Sequence, residues 1–112
     1  MYINIYFLIG LFWLHFLGDF VCQSDQMAIH KSTSYGWLSL HVLVYTVCFI
    51  GIGWRFAVLN GAIHFLVDLF TSRGTTYLWQ REKRHWFFTL IGLDQMLHLT
   101  TLVITGKLLL NH

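Results

Sequence analysis

Two stretches of this sequence carry the same polar string in an apolar setting. They are WLHFLGDFVCQ, from Trp13 to Gln23, and AIHFLVDLFTS, from Ala62 to Ser72, and both contain His-Phe-Leu-x-Asp. On a helix a spacing of four puts His15 and Asp19, and likewise His64 and Asp68, on one face, one turn apart. Nearly every other position in the two strings is apolar. Such helices suit a hydrocarbon environment on all sides but one, and that one side needs partners.

Composition agrees with a membrane setting. The chain is 56% hydrophobic and 18% aromatic, with 11% charged residues over 112 positions, against roughly 25% charged in a soluble domain. A chain of this length holds one domain at most. It has no proline and no low-complexity tract, which excludes extended disorder. Of the five acidic residues, Asp19, Asp68 and Asp94 fall inside apolar segments, and Asp25 and Glu82 fall outside them. The N-terminus lacks a basic leader region and a small-residue cleavage site, so it reads as a retained span.

Four transmembrane segments are expected, at about 2–22, 37–52, 55–70 and 86–110, since about 20 apolar residues cross a bilayer core as a helix. Polar stretches at 23–36 and 71–85 separate them, the first with a short helix around Asp25 to His30. Gly51 and Gly53 mark a tight turn between the second and third spans. The 71–85 stretch holds Arg73, Arg81, Lys83 and Arg84 against Glu82 alone, so both polar loops are placed in the cytoplasm by the positive-inside rule. Its Trp79–Arg84 cluster suits the headgroup region and can attract anionic lipid; a basic stretch this short beside a membrane does not suit nucleic acid. This topology sets Cys22 and Cys48 toward opposite faces, too far apart for a disulfide. The first and third spans then run in the same direction, as in two helical hairpins related by a pseudo-twofold axis along the membrane normal.

Every predicted span has one polar stripe. His15, Asp19 and Gln23 share a face in the first; His41, Tyr45 and Cys48 in the second; Asn60, His64 and Asp68 in the third; Asp94, His98, Thr101 and Thr105 in the fourth. At 1.5 Å per residue most of the ionisable groups fall roughly 5–15 Å from the cytoplasmic ends of their helices. The pattern predicts an all-α four-helix bundle with the stripes turned inward.

Ionisable groups at that depth are costly, about 2.5–3.5 kcal/mol each on insertion scales. They need pairing, protonation or a cation. Imidazole with carboxylate is a ligand set for zinc, manganese or iron. His15, Asp19, His41, His64, Asp68, Asp94 and His98 are seven candidate ligands, enough for one or two divalent ions with a bridging carboxylate. The same residues could serve a proton or cation relay, or a structural network that glues helices together. Three i, i+4 pairs plus His41 at one level favour the metal site.

The combination His15-x3-Asp19-x3-Gln23-x-Asp25, His41, His64-x3-Asp68 and Asp94-Gln95-x2-His98 resembles domain of unknown function family 3307, a group of small bacterial and phage membrane proteins. The likeness runs from about Leu11 to Leu102. It implies a multi-span protein of a bacterial inner membrane, or of a phage-infected host's, and no particular activity. A more distant likeness, in residue type alone, is to predicted membrane-bound metal-dependent hydrolases. The expected function is a metal-binding membrane protein acting as a hydrolase on a lipid or interfacial substrate, the alternatives being a proton or divalent-cation transporter or channel using the same residues, or a non-catalytic membrane protein with a structural polar core. Gln23 and Asp25 are placed to orient substrate or water, and Gln95 to support the ligands. A bundle this small leaves room for a homodimer.

Overall fold

The computed structural model describes residues 4–110; the start of the first expected span lies outside them. The described chain is all-helical: α1 (Ile5–Phe16), a π-helical turn (Leu17–Val21), α2 (Asp25–His30), α3 (Tyr35–Phe49), α4 (Trp54–Gln80) and α5 (Arg84–Leu109). Asn4, Ser24 and Ser34 cap α1, α2 and α3, each accepting a bond from a backbone N–H two or three residues on, which fixes where these helices start. The turn after α3 contains Gly51, and Gly53 caps α4.

α4 packs most extensively against α5 and next against α3, while α1 touches α5 and α3 more sparingly. α3 meets the first helix mainly at the π turn. The two hairpins are thus unequal: the His64–Asp68 string lies in regular α-helix, and its counterpart runs from α1 into the π turn. The π register closes with Cys22 N–H bonding to the Leu17 carbonyl at 2.8 Å. It presses Gly18 against α3, where a Cβ would stand 3.0 Å from Tyr45 Cδ2.

Two expectations are corrected. The 71–85 stretch is helical through Gln80, with a turn only at 81–83. It contains no proline, and the hydroxyls of Thr71 and Thr75 bond back to the carbonyls of Val67 and Ser72, so polarity there does not stop the helix. Cys48 lies beside the π turn, its sulfur 3.6 Å from the position of a Gly18 Cβ, with Cys22 as a neighbour; the two cysteines do not sit at opposite faces, and both are free. Of the four expected spans, one helix among the described residues, α5, is both long and apolar enough to cross a membrane, with 26 residues and an 18-residue window of mean hydropathy 1.5. α1 with its π turn and α3 are shorter apolar helices. α4 has 27 residues, but its polar stripe and its Arg73–Gln80 end lower its average.

Polar and apolar residues are distributed inside out. Buried positions include His15, Asp19, His41, Asn60, His64, Asp68, Asp94 and His98, whereas Phe12, Trp13, Phe16, Leu66, Phe70 and Phe88 are exposed. A compact apolar cluster of Leu11, Tyr45, Phe49, Phe56, Ala57 and Leu102 sits beside the polar groups.

Candidate metal centre

The π turn, α3, α4 and α5 contribute to one cluster. The π turn supplies Asp19, α3 supplies His41, α4 supplies His64 and Asp68, and α5 supplies Asp94 and His98. Its innermost part is a set of four atoms. His41 Nε2 lies 3.0 Å from Asp19 Oδ1 and 3.3 Å from Asp68 Oδ2. His64 Nε2 lies 3.3 Å from Asp19 Oδ1 and 3.2 Å from Asp68 Oδ2. The two Nε2 atoms are 3.1 Å apart, and the two oxygens lie within 4.8 Å of each other.

Hydrogen bonding accounts for only part of this set. Each Nε2 carries at most one proton, yet five close approaches converge. Five of the six distances among these four atoms run 3.0–3.3 Å, close to the edges of a coordination tetrahedron, and the sixth, between the carboxylate oxygens, is within 4.8 Å. An ion bound at about 2.0–2.1 Å by nitrogen and oxygen sets ligands about 3.3–3.4 Å apart. The donor set and its geometry fit a divalent ion such as zinc.

A second group adjoins the first. His98 Nε2 is 3.1 Å from Asp68 Oδ1 and 3.1 Å from Asp94 Oδ1, and Asp19, Asp94 and His98 can also offer three ligand atoms within 4.8 Å of one another. Asp68 thus directs Oδ2 to the first group and Oδ1 to the second, the arrangement of a bridging carboxylate.

Stacking sets the imidazole planes. The Tyr45 and His64 rings lie 4.0 Å apart at 23°, and the His64 and His98 rings 3.9 Å apart at 22°. The Nδ1 atoms of His41 and His64 are buried without a hydrogen-bond partner, so neither has the usual bond to its far nitrogen, and of the two only His64 is held in a ring stack.

His15 differs from expectation. Tyr45 Oη takes its Nδ1 at 2.9 Å and Gln95 Oε1 its Nε2 at 2.7 Å, so neither nitrogen joins a ligand group. Gln95 ties the layer together, its Nε2 donating to Asp19 Oδ2 at 3.0 Å and Asp94 Oδ2 at 3.1 Å. Asp25 is exposed at the first turn of α2, where a carboxylate favours the helix N-terminus, and it does not reach the cluster. Gln23 does reach it, lining a cavity of about 160 Å³ whose inner wall is Asp19, Asp68 and Asp94.

Sequence reasoning missed three participants. Lys31 Nζ stands 3.4 Å from Asp68 Oδ2. The Thr71 hydroxyl lies 2.6 Å from Asp94 Oδ1. Tyr45 was noted only as sharing a face with His41. Thr71 and Tyr45 follow Asp68 and His41 at helical spacings of three and four, which would have exposed them; nothing local marks Lys31.

Neither a curated protein nor a solved structure matches this sequence. The model of one family, described as protein of unknown function (DUF3307), matches residues 7–112, and the chain belongs to that family.

Proposed function

We propose that this protein is a membrane-embedded metal protein, and that its metal centre serves hydrolysis of a lipid or another interfacial substrate. The observation that carries the metal assignment is the buried four-atom set of Asp19, His41, His64 and Asp68, with five of its six mutual distances at 3.0–3.3 Å. The second group, sharing Asp68, supports a two-ion site.

The membrane assignment rests on where charge is missing. Across residues 4–24, 32–54, 56–72 and 85–106 the only Asp, Glu, Lys or Arg residues are Asp19, Asp68 and Asp94, and all three are buried. The outer face of the bundle is formally uncharged over those lengths and rich in exposed Phe, Leu, Ile and Trp, far beyond the patches a soluble monomer leaves to water. The polarity that lowers the average for α4 points inward. α3, at 15 residues, rises about 22 Å, which suits a locally thinned bilayer. Five of the seven Lys and Arg residues lie at the α2 end or on the α4–α5 turn side, and this end is assigned to the cytoplasm.

A divalent ion in this centre would supply Lewis acidity and make a water in the cavity acidic enough to attack an ester or phosphoester. The chain itself positions the ligands, through the ring stack and the Gln95 carboxamide, and excludes bulk water on the far side with Phe49 and Phe56, which are fully buried. That apolar cluster also argues against the transport alternative, since an ion path through the bundle would have to cross it.

Elemental analysis of detergent-purified protein under non-chelating conditions tests the reading. Wild type is expected to carry stoichiometric divalent metal, and Asp19→Ala and Asp68→Ala to lose it. A metal-free wild type overturns the proposal.

A further inference from the structure

The cavity beside the cluster has an inner wall and a rim of different chemistry. Asp19, Asp68 and Asp94 form the wall, while Gln23, Lys31 and Thr75 stand at the rim, each only partly buried. Lys31 ends α2 and reaches inward to Asp68 at 3.4 Å with its side chain 20% exposed. Gln23 has a buried Oε1 with no hydrogen-bond partner, an uncompensated cost for a polar atom. Rotating its amide would point two N–H donors where the oxygen now lies.

The geometry points to this cavity as a binding site for a phosphate-bearing ligand, held by Lys31 and the Gln23 amide beside the metal centre. The inference rests on the metal reading above and names the substrate class for it. The charge argument is direct. Asp68 Oδ2 belongs to the four-atom set and is also the partner of Lys31. A divalent ion taking that oxygen repels the ammonium and frees it. Two divalent ions and Lys31 then outweigh the three aspartates, and the cavity becomes net positive. A neutral or cationic ligand gains nothing there, whereas a phosphate dianion meets a charge donor, amide donors and the ions at once. Arg73, Arg81, Lys83 and Arg84, against Glu82, lie on the α4–α5 segment that continues from the rim and would draw anions toward it. The phosphate could belong to a lipid headgroup or to a soluble ester; the chemistry of recognition is the same.

The test is binding of inorganic phosphate to the full chain in detergent, by calorimetry, with metal content measured on the same samples. Wild type is expected to bind phosphate. Lys31→Met should weaken it by at least about tenfold with metal content unchanged, and Lys31→Arg should retain it. Equal binding by wild type and Lys31→Met, no binding by metal-loaded wild type, or loss of metal along with phosphate in Lys31→Met overturns the site. A metal-free wild type that still binds phosphate overturns the metal reading and, with it, the charge argument for this site. Competition by phosphatidic acid in mixed micelles, set beside glycerol 3-phosphate, separates the sources: stronger competition by the lipid supports a headgroup ligand, and equal competition supports a soluble ester.

Discussion

His41 Nε2 and His64 Nε2 face each other at 3.1 Å from two different helices. Two imidazole nitrogens this close cannot both carry a proton without a clash, and both lone pairs are best used by one cation between them. His64→Gln is therefore expected to lower metal affinity by at least about 100-fold, beyond the range seen for outer-shell changes. Competition with a colorimetric chelator measures it, and an unchanged affinity would remove His64 from the ligand set.

Acid should release the metal. Each ligand binds only when deprotonated, so metal uptake expels protons and affinity falls as pH falls. Between about pH 7.5 and pH 5.5, which spans the ordinary histidine range, bound metal at fixed free concentration should drop several-fold. Proton release on titrating metal into weakly buffered protein gives the same sign; no release would contradict ligation by these groups.

Chelation should also cost stability. An ion that binds the folded state alone stabilises it by about 2.7 kcal/mol at 100 times its dissociation constant. Removing metal with EDTA should lower Tm in detergent for wild type and leave the Tm of Asp68→Ala unmoved.

Gly61 tests the frame that holds His64. A Cβ at Gly61 would collide with Thr46 Oγ1 where α4 crosses α3, and overpacking of this kind costs about 1–3 kcal/mol. Gly61→Ala should lower Tm, and adding Thr46→Ala should recover most of the loss. Failure of the pair to compensate would place the strain elsewhere.

Tyr45→Phe separates support from ligation. It removes the hydroxyl at His15 Nδ1 but keeps the ring on His64. The expected result is a stability loss of about 1–3 kcal/mol, from a buried group left unpaired, with metal content intact. Loss of metal would mean that His15 governs the centre more directly than its contacts indicate.

Much of the centre could be read from spacing alone. His64–Asp68 and Asp94–His98 are helical neighbours, and both pairs reach the cluster as their i, i+4 pattern requires. Gln95 was legible as a supporting group. His15 was legible as an inward residue but not as one saturated by Tyr45 and Gln95, because those partners lie 30 and 80 positions away. The π turn left no trace in a run of apolar residues, and the close approach of Gly18 to Tyr45 that accompanies it lies across helices. The continuation of α4 to Gln80 was hidden because polarity was read as a loop, although side-chain polarity and helix propensity are separate properties. Lys31 was invisible for a topological reason: α2 brings it back over Asp68 after a polar connection.

The cavity ends inward on Asp19, Asp68 and Asp94, and the apolar cluster of Phe49, Phe56, Leu11 and Leu102 lies outside its lining. Whatever enters past Lys31 and Gln23 leaves by the same door. Under the proposed hydrolysis, product and substrate would compete for one vestibule, release of the spent ligand would limit turnover, and a molecule that resembles the product would be the starting point for an inhibitor.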